Sequence, residues 1–265
     1  MPELPEAEAM CRLLRLTAIG RRVVRIELGP RDRFTISNDV IKRLVGARVE
    51  AIERHGKSIS IRFDVSSHMT FILGMSGRLV IRNHQREHDR LALHLGDDTA
   101  LVFNDFRRFG RFYCTTTEGV PHLPSAGPDA LESAFTADTL RIAAKRSIKS
   151  VLLDQRIVAG LGNIYSCEAL FHASIDPRRQ VGSLSNAERR RLVIAIKKVL
   201  TNAVAHGGST LSDYRGTEGH AGDYDRLFAV YGKVGLACRR CTCKSGVVRL
   251  IEAGRSTYLC PKRQH

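Results

Sequence analysis

The sequence predicts an α+β protein: an N-terminal β-sandwich with a leading α-helix, then a helical C-terminal domain, then a terminal β-hairpin. Three observations predict it. Short β-rich runs follow one another from residue 22 to about 115, the pattern of a sandwich or barrel. A Pro- and Gly-rich stretch at 119–128 then gives way to helical periodicity that lasts to about residue 207. Finally, four of the seven cysteines (238, 241, 243 and 260) fall in the last 28 residues.

In chain order, Ala7, Met10, Leu13, Leu14 and Thr17 recur at helical spacing, so residues 5–18 form an amphipathic helix. Strands are expected at 22–28, 47–54, 57–63, 69–73, 78–82, 91–95 and 100–104. His55-Gly56 and Gly96-Asp97-Asp98 stand between runs as hairpin turns. The 119–128 stretch, with three prolines and two glycines, is the expected linker. The clearest helix starts at Ser185, where Ser185-x-x-Glu188 makes a capping box. Its apolar stripe is Leu192, Ile196, Val199, Leu200 and Ala203, and Gly207-Gly208 ends it. Residues 209–225, rich in glycine and charge, are a loop. The expected domains are therefore 1–118, a linker at 119–128, 129–225, and a terminal module at 226–265.

The 265 residues carry 42 Lys+Arg against 27 Asp+Glu, a net charge of +15, with 43% hydrophobic residues. That composition excludes a disordered or collagen-like chain. Residues 1–140 hold 20 basic and 18 acidic side chains, whereas 141–265 hold 22 and 9. An excess packed into one half points to a polyanion, and nucleic acid is the expected partner. A membrane patch would come with a lipid-anchor motif, and none is visible. No apolar run approaches the ~18–20 residues that span a bilayer. The acidic, Pro-rich start does not resemble a targeting peptide, so a soluble, cytoplasmic (nucleoid-associated) monomer is expected. Cys238-x2-Cys241 followed by Cys260 has the spacing of a structural zinc site. The scattered Cys11, Cys114 and Cys167 read as buried small apolar residues.

Three segments in order, Pro2-Glu3-Leu4-Pro5-Glu6, Leu161-Gly162-Asn163-Ile164-Tyr165 and the terminal cysteines, resemble the formamidopyrimidine-DNA glycosylase family, which includes endonuclease VIII. The resemblance runs the full length. Glu8 and the Asp105-Phe106-Arg107-Arg108-Phe109-Gly110 stretch favour the formamidopyrimidine branch. It implies a helix–two-turn–helix domain around Gly160–Asn163, a zinc-finger-like hairpin at the end, and damaged double-stranded DNA as partner.

The residues themselves support such chemistry. Once Met1 is removed, Pro2 is a secondary amine whose reference pKa is ~7.7–8.0, against ~10.4 for lysine. Roughly 10–15% of it is neutral at pH 7, a few hundred-fold more nucleophile than a lysine supplies. Attack on a sugar C1′ displaces the base and leaves an iminium that acidifies the C2′ proton. Glu3 is adjacent, as an acid/base must be, and Glu6 is a second carboxylate one turn on. Without the resemblance, Pro2, Glu3 and Glu6 would read as an ordinary helix start.

The resemblance further implies that Lys57, after His55-Gly56, assists elimination, and that Arg255 binds phosphate and assists the second elimination. It assigns Met75, Arg107 and Phe109 to filling the hole left by an extruded base. A flexible wedge, a flat cation and an aromatic suit that task. Phe106 departs from the family's pattern for this loop. His88 and Lys145 match DNA-contacting positions, and Lys149 a phosphate-binding lysine. Asn163, at a helix N-terminus, is expected to cap it and to bond a phosphate.

The cysteines also depart from the pattern. After Cys238, Cys241 and Cys260, the fourth cysteine is expected at 263, where the chain has arginine. Zn2+ would then take His265 or Cys243 as fourth ligand, or the finger is held by packing without metal. The function implied is a bifunctional DNA glycosylase/AP lyase of base-excision repair. It would remove 8-oxoguanine and formamidopyrimidines and cut the strand by β,δ-elimination. The alternatives are endonuclease VIII-like specificity for oxidised pyrimidines, or a non-catalytic damaged-DNA binder.

Overall fold

The computed structural model describes residues 1–265 except 30–35, 85, 97, 116–125, 210–221, 239, 242–244 and 253. Most of the expected linker, most of the expected 209–225 loop, and Cys243 therefore lie outside the described residues. The chain divides into two compact units, Met1–Pro124 with Ser209–Gly222, and Ser125–Gly208 with Asp223–His265.

The first unit opens with helix α1 (Leu4–Ala18) and contains strands β1 (Val23–Leu28), β2 (Val49–His55), β3 (Ser58–Phe63), β4 (Ser67–Ile72), β5 (Arg78–Arg82), β6 (Asp89–Leu95), β7 (Thr99–Asn104) and β8 (Arg111–Thr115). They form two antiparallel four-stranded sheets, ordered β1-β6-β7-β5 and β2-β3-β4-β8. Alternation decides which side chains meet between them. Ile59, Ile61 and Phe63 of β3, Met69 and Phe71 of β4, Leu91, Leu93 and Leu95 of β6, and Leu101 and Phe103 of β7 share one core. The opposite face of β3 and β4 is polar, with Ser60 and Thr70 hydroxyls bonded at 2.9 Å. Helix α1 adds Ala7, Met10 and Leu14 to the same core. Arg15 Nε donates to the Ile52 carbonyl of β2 (2.8 Å), and the Leu79 N–H of β5 meets Met10 Sδ at 3.4 Å.

One element differs from the expectation of continuous β-structure. Helix α2 (Asn38–Leu44) lies between β1 and β2, capped by Ser37, whose side chain accepts the Val40 N–H. With Leu44 its sole buried residue, it offers little apolar periodicity for a sequence to reveal.

The second unit contains α3 (Ile148–Leu152), α4 (Asn163–Ala173), α5 (Asn186–Ala205) and the hairpin of β9 (Val248–Glu252) and β10 (Arg255–Leu259). Helix α5 carries the expected capping box at Ser185 and Glu188 and buries Leu192, Ile196, Val199, Leu200 and Ala203. Glu168 of α4 is buried, and its carboxylate accepts the N–H groups of Ala229, Val230 and Tyr231 at 2.8–3.0 Å. Three backbone donors are what a buried carboxylate needs in place of water. Among the described residues no helix is long and apolar enough to cross a membrane.

Candidate active site and nucleic-acid interface

Of the residues singled out by sequence, the first unit holds Pro2, Glu3, Lys57, Met75, His88, Arg107 and Phe109, and the second holds Lys145, Lys149, Asn163, Arg255, Cys238, Cys241 and Cys260.

The N-terminal turn is built around two carboxylates that water does not reach. Pro2 is buried, Glu3 is 1% exposed and Glu6 is 2% exposed. Glu3 is the N-cap of α1, its carbonyl accepting the Ala7 N–H (3.0 Å), while its own N–H donates to Glu6 Oε2 (2.8 Å). The other Glu6 oxygen, Oε1, accepts the N–H (2.8 Å) and the hydroxyl (3.1 Å) of Ser209. Ordinary helix-start acids face solvent; these are enclosed and held.

Lys57 is half-buried and sits in the tight turn between β2 and β3, where His55 pairs with Ser58. It is the second turn residue, one position before the strand expected to contain it. Gly56, with φ +58°, takes the first turn position, which favours glycine. Arg54 fixes this turn to α1, donating from Nη1 to the Gly56 carbonyl (3.1 Å) and from Nε to Glu8 Oε2 (3.0 Å). Glu8 also accepts from Arg15 (3.0 Å). Burial alone would raise the Glu8 carboxyl, but the bonds and charges of Arg15 and Arg54 outweigh it and hold the group below its ordinary value of 4.5. A carboxyl depressed in the native state contributes stability above about pH 4.5 and loses it as pH falls through the native value. Glu8→Gln is therefore expected to cost about 1–2 kcal/mol at pH 7 and progressively less below pH 4.5, read by urea unfolding across pH.

Met75, Arg107 and Phe109 project from two loops joined through one buried acid. Asp105 is fully buried: Ser76 Oγ donates to Oδ1, and the Gly110 N–H donates to Oδ2 (2.7 Å). The Arg107 N–H in turn donates to Ser76 Oγ (3.1 Å). Arg90, 1% exposed, bridges Asp105 Oδ2 (3.3 Å) and the Gly110 carbonyl (2.8 Å). The Asp105 N–H donates to the carbonyl of His88 (3.1 Å). The sequence marked the Asp105–Gly110 stretch but not this hub; an arginine directly before the apolar run 91–95, Arg90, was the available signal. The loops also press together at glycines. A Cβ on Gly74 would stand 2.7 Å from the Gly110 nitrogen, and one on Gly110 would stand 2.6 Å from the Phe103 ring.

On this scaffold the tips face outward. Met75, Phe106 and Phe109 are 38%, 46% and 55% exposed, and Arg107 is exposed with its guanidinium 5.2 Å from the Phe109 ring centroid. Clustered exposed apolar side chains on a braced support mark a surface made to be covered. Phe106, the departure from the family's loop pattern, has its ring 6.4 Å from that of the exposed His88.

In the second unit, the turn from α3 to α4 is stapled by Gln155, which donates to the Leu153 and Leu161 carbonyls and accepts the Gly160 N–H. Gly162 is the N-cap of α4 and Asn163 the first helical residue, which corrects the expected capping role of Asn163. Its amide is engaged elsewhere, donating to the Ser256 carbonyl of β10 (2.9 Å). Lys149 converges on the same strand. It is fully buried, with Nζ bonded to Thr257 Oγ1 and the Ser256 carbonyl, and burial pulls its ammonium below the ordinary lysine value. Thus α3 and α4 grip β10 immediately beside Arg255, which is exposed at the start of that strand. Lys145 is also exposed.

The sulfurs of Cys238, Cys241 and Cys260 all lie within 4.8 Å of one another. Tetrahedral thiolates around zinc, at Zn–S ~2.3 Å, stand roughly 3.8 Å apart, so the three suit a metal. Among the described residues the group stops at three. His265 does not join it, which corrects that candidate. The tail curls back, with the Arg263 and Gln264 N–H groups donating to the Cys260 carbonyl, and the His265 carbonyl accepts the Asp176 N–H (3.3 Å). Arg263, where the fourth cysteine was expected, lies over the Phe171 ring at 5.5 Å. Gln264, 2% exposed, accepts the Cys260 N–H and donates to the Ile175 carbonyl, both at 2.9 Å.

Comparison with known proteins gives consistent matches along the chain. Residues 1–112 match the formamidopyrimidine-DNA glycosylase N-terminal domain, and residues 126–215 match the formamidopyrimidine-DNA glycosylase H2TH domain. A formamidopyrimidine-DNA glycosylase of Acidiphilium cryptum is 40% identical, with 100% of both chains covered. The crystal structure of the MutM (Fpg) protein from Thermus thermophilus superposes with a TM-score of 0.87 at 36% identity, covering 99% of this chain and 98% of the other. Wild-type Lactococcus lactis Fpg (MutM), in complex with DNA containing N7-benzyl-Fapy-dG, gives 0.89 at 30% identity, covering 99% of each.

Proposed function

The chain belongs to the formamidopyrimidine-DNA glycosylase family, and from that premise we propose that it excises oxidised purines from duplex DNA and cuts the strand at the resulting abasic site. The observation that carries this reading is the enclosed N-terminal turn, where Pro2 is buried beside the carboxylates of Glu3 and Glu6.

Removal of Met1 frees the Pro2 nitrogen. Its lone pair attacks C1′ of the damaged nucleotide, a C1′–N bond forms, and the glycosidic electron pair leaves with the base. The proline nitrogen then gives up its proton, its lone pair closes the C1′=N iminium, and the C1′–O4′ bond breaks with its electron pair going to the ring oxygen, to which Glu3 delivers a proton. The resulting iminium withdraws electrons from C1′. The C2′ proton is thereby lost, and β-elimination expels the 3′ phosphate. A second elimination expels the 5′ phosphate, after which water releases the sugar fragment from Pro2. Lys57, on its braced turn, and Arg255, beside the gripped strand β10, are the cations assigned to the phosphates and to these eliminations.

The target base must leave the stack first. Met75 fills the gap, Arg107 bonds the orphaned partner base, and Phe109 stacks against it. His88 and Lys145 contact the duplex backbone. Lys149 and Asn163 serve the DNA through the finger strand they hold, and the start of α4 beside Gly162 is the place where a phosphate would be received. The net charge of +15 supplies affinity that falls steeply with salt, and the setting is the cytoplasm, on nucleoid DNA.

Borohydride trapping on duplexes carrying 8-oxoguanine, formamidopyrimidine or thymine glycol, followed by mapping of the adduct, tests the whole reading. An adduct on Pro2, formed fastest with the two purine lesions, is expected. A sugar adduct elsewhere in the chain removes Pro2 from its role, no adduct with any duplex leaves only a DNA binder, and preference for thymine glycol moves the chain to the oxidised-pyrimidine branch.

Cys238, Cys241 and Cys260 hold one structural Zn2+ in this reading, which stabilises the hairpin that presents Arg255. Without a cysteine at position 263 the site is expected to bind more weakly than the family's four-cysteine finger. Arg263→Cys is expected to raise zinc affinity on the order of 10²-fold in competition with a chromophoric chelator. An unchanged affinity would show that position 263 is not the vacant corner.

A further inference from the structure

Glu6 is the least expected of the buried acids in the N-terminal turn, because nothing in the proposed chemistry requires it. The residue is 2% exposed, and its carboxylate accepts the Glu3 N–H at Oε2 and the N–H and hydroxyl of Ser209 at Oε1. Ser209 is itself 3% exposed and stands 203 residues along the chain from Glu6. A buried carboxylate persists only where donors replace its water, and here Ser209 alone supplies two.

The geometry points to Ser209 as a positioning residue for the Pro2 amine, acting through Glu6. This deepens the reading given above and rests on it. The N–H that Glu6 holds belongs to the peptide group joining Pro2 to Glu3. Once Met1 is gone, that peptide is the sole covalent tether of the proline ring. Holding its plane sets ψ of Pro2, and so sets the direction in which the ring nitrogen presents its lone pair. Glu6 alone has three rotatable side-chain bonds and would swing. With Oε1 clamped from a distant part of the chain, Oε2 has one place to be. Alignment of this kind acts on the rate of the chemical step and leaves duplex binding nearly untouched.

Single-turnover borohydride trapping on an 8-oxoguanine duplex, run beside equilibrium binding to a duplex with an uncleavable abasic analogue, tests it. Ser209→Ala keeps the backbone donor and loses the hydroxyl. It is expected to trap about 10-fold more slowly, the size of one hydrogen bond to a charged acceptor, with duplex affinity within about twofold of wild type. Ser209→Thr restores the hydroxyl and is expected to recover the rate to within about threefold, with both variants folded and binding duplex as wild type does. A Ser209→Ala protein that traps at the wild-type rate overturns the inference while leaving Pro2 as nucleophile. So does one whose affinity and melting temperature fall in step with its rate, or a Ser209→Thr protein that is no better than alanine. If wild type itself forms no adduct at Pro2, the parent reading fails instead.

Discussion

Glu3→Gln is expected to slow base release by about 10²–10⁴-fold while duplex affinity changes by no more than a few-fold. The amide matches the carboxyl in size and keeps the backbone cap, since the Glu3 carbonyl and N–H make their bonds to Ala7 and Glu6 regardless of the side chain's charge. It has no proton to deliver to the sugar ring oxygen. Single-turnover release of 8-oxoguanine, with strand cutting measured separately on a preformed abasic site, checks this. Loss confined to the intact nucleotide locates Glu3 at glycosidic cleavage, and equal loss on both substrates gives it a second task in elimination. Wild-type release rates in the variant would take Glu3 out of the chemistry.

Asp105→Asn is expected to destabilise the first unit by about 3–5 kcal/mol, the largest stability effect expected from a single side chain here. Arg90 is 1% exposed and Asp105 fully buried, so the substitution leaves a guanidinium in the interior without its counter-charge. The amide also turns a donor toward one of the three donors that now converge on the two carboxylate oxygens, from Ser76, Gly110 and Arg90. Urea unfolding of the variant checks the magnitude. The double substitution Arg90→Met with Asp105→Asn is expected to recover part of the loss, because the stranded charge is gone. A single substitution that costs less than about 1 kcal/mol would mean that Asp105 does not carry the two loops.

The strands were legible because a two-residue period needs only local alternation, and Ile59, Ile61 and Phe63 or Leu91, Leu93 and Leu95 display it without help. The capping box at Ser185 and Glu188 was legible for the same reason: a few adjacent residues suffice. Helix α2 was not, since one buried leucine cannot establish a period. Nor was the inward turn of Lys149, whose partner Thr257 lies 108 residues away. A lysine near a helix N-terminus in a basic domain reads as a phosphate ligand until the strand that claims it is in place. The cysteine spacing announced a cluster of thiols that could hold a metal, but position 263 read only as a missing ligand. In the fold, Arg263 lies over the Phe171 ring and Gln264 ties the tail to Ile175. The Ser209–Glu6 bond joins residues far apart along the chain, and no local pattern announces it.

The near-collision of Gly74 with Gly110 limits how this surface can be re-engineered. Two loops, each crossing from one sheet to the other, are fused there into one head with no slack for even a methyl group between their backbones. Its bristles (Met75, Arg107, Phe109) can be exchanged singly, since they end in solvent. Its backbone cannot be lengthened or thickened on one side without prying the other loose. If these tips meet the orphaned base as proposed above, altered preference for it is reachable by swapping them, and a library that inserts residues into either loop is expected to yield mostly broken heads.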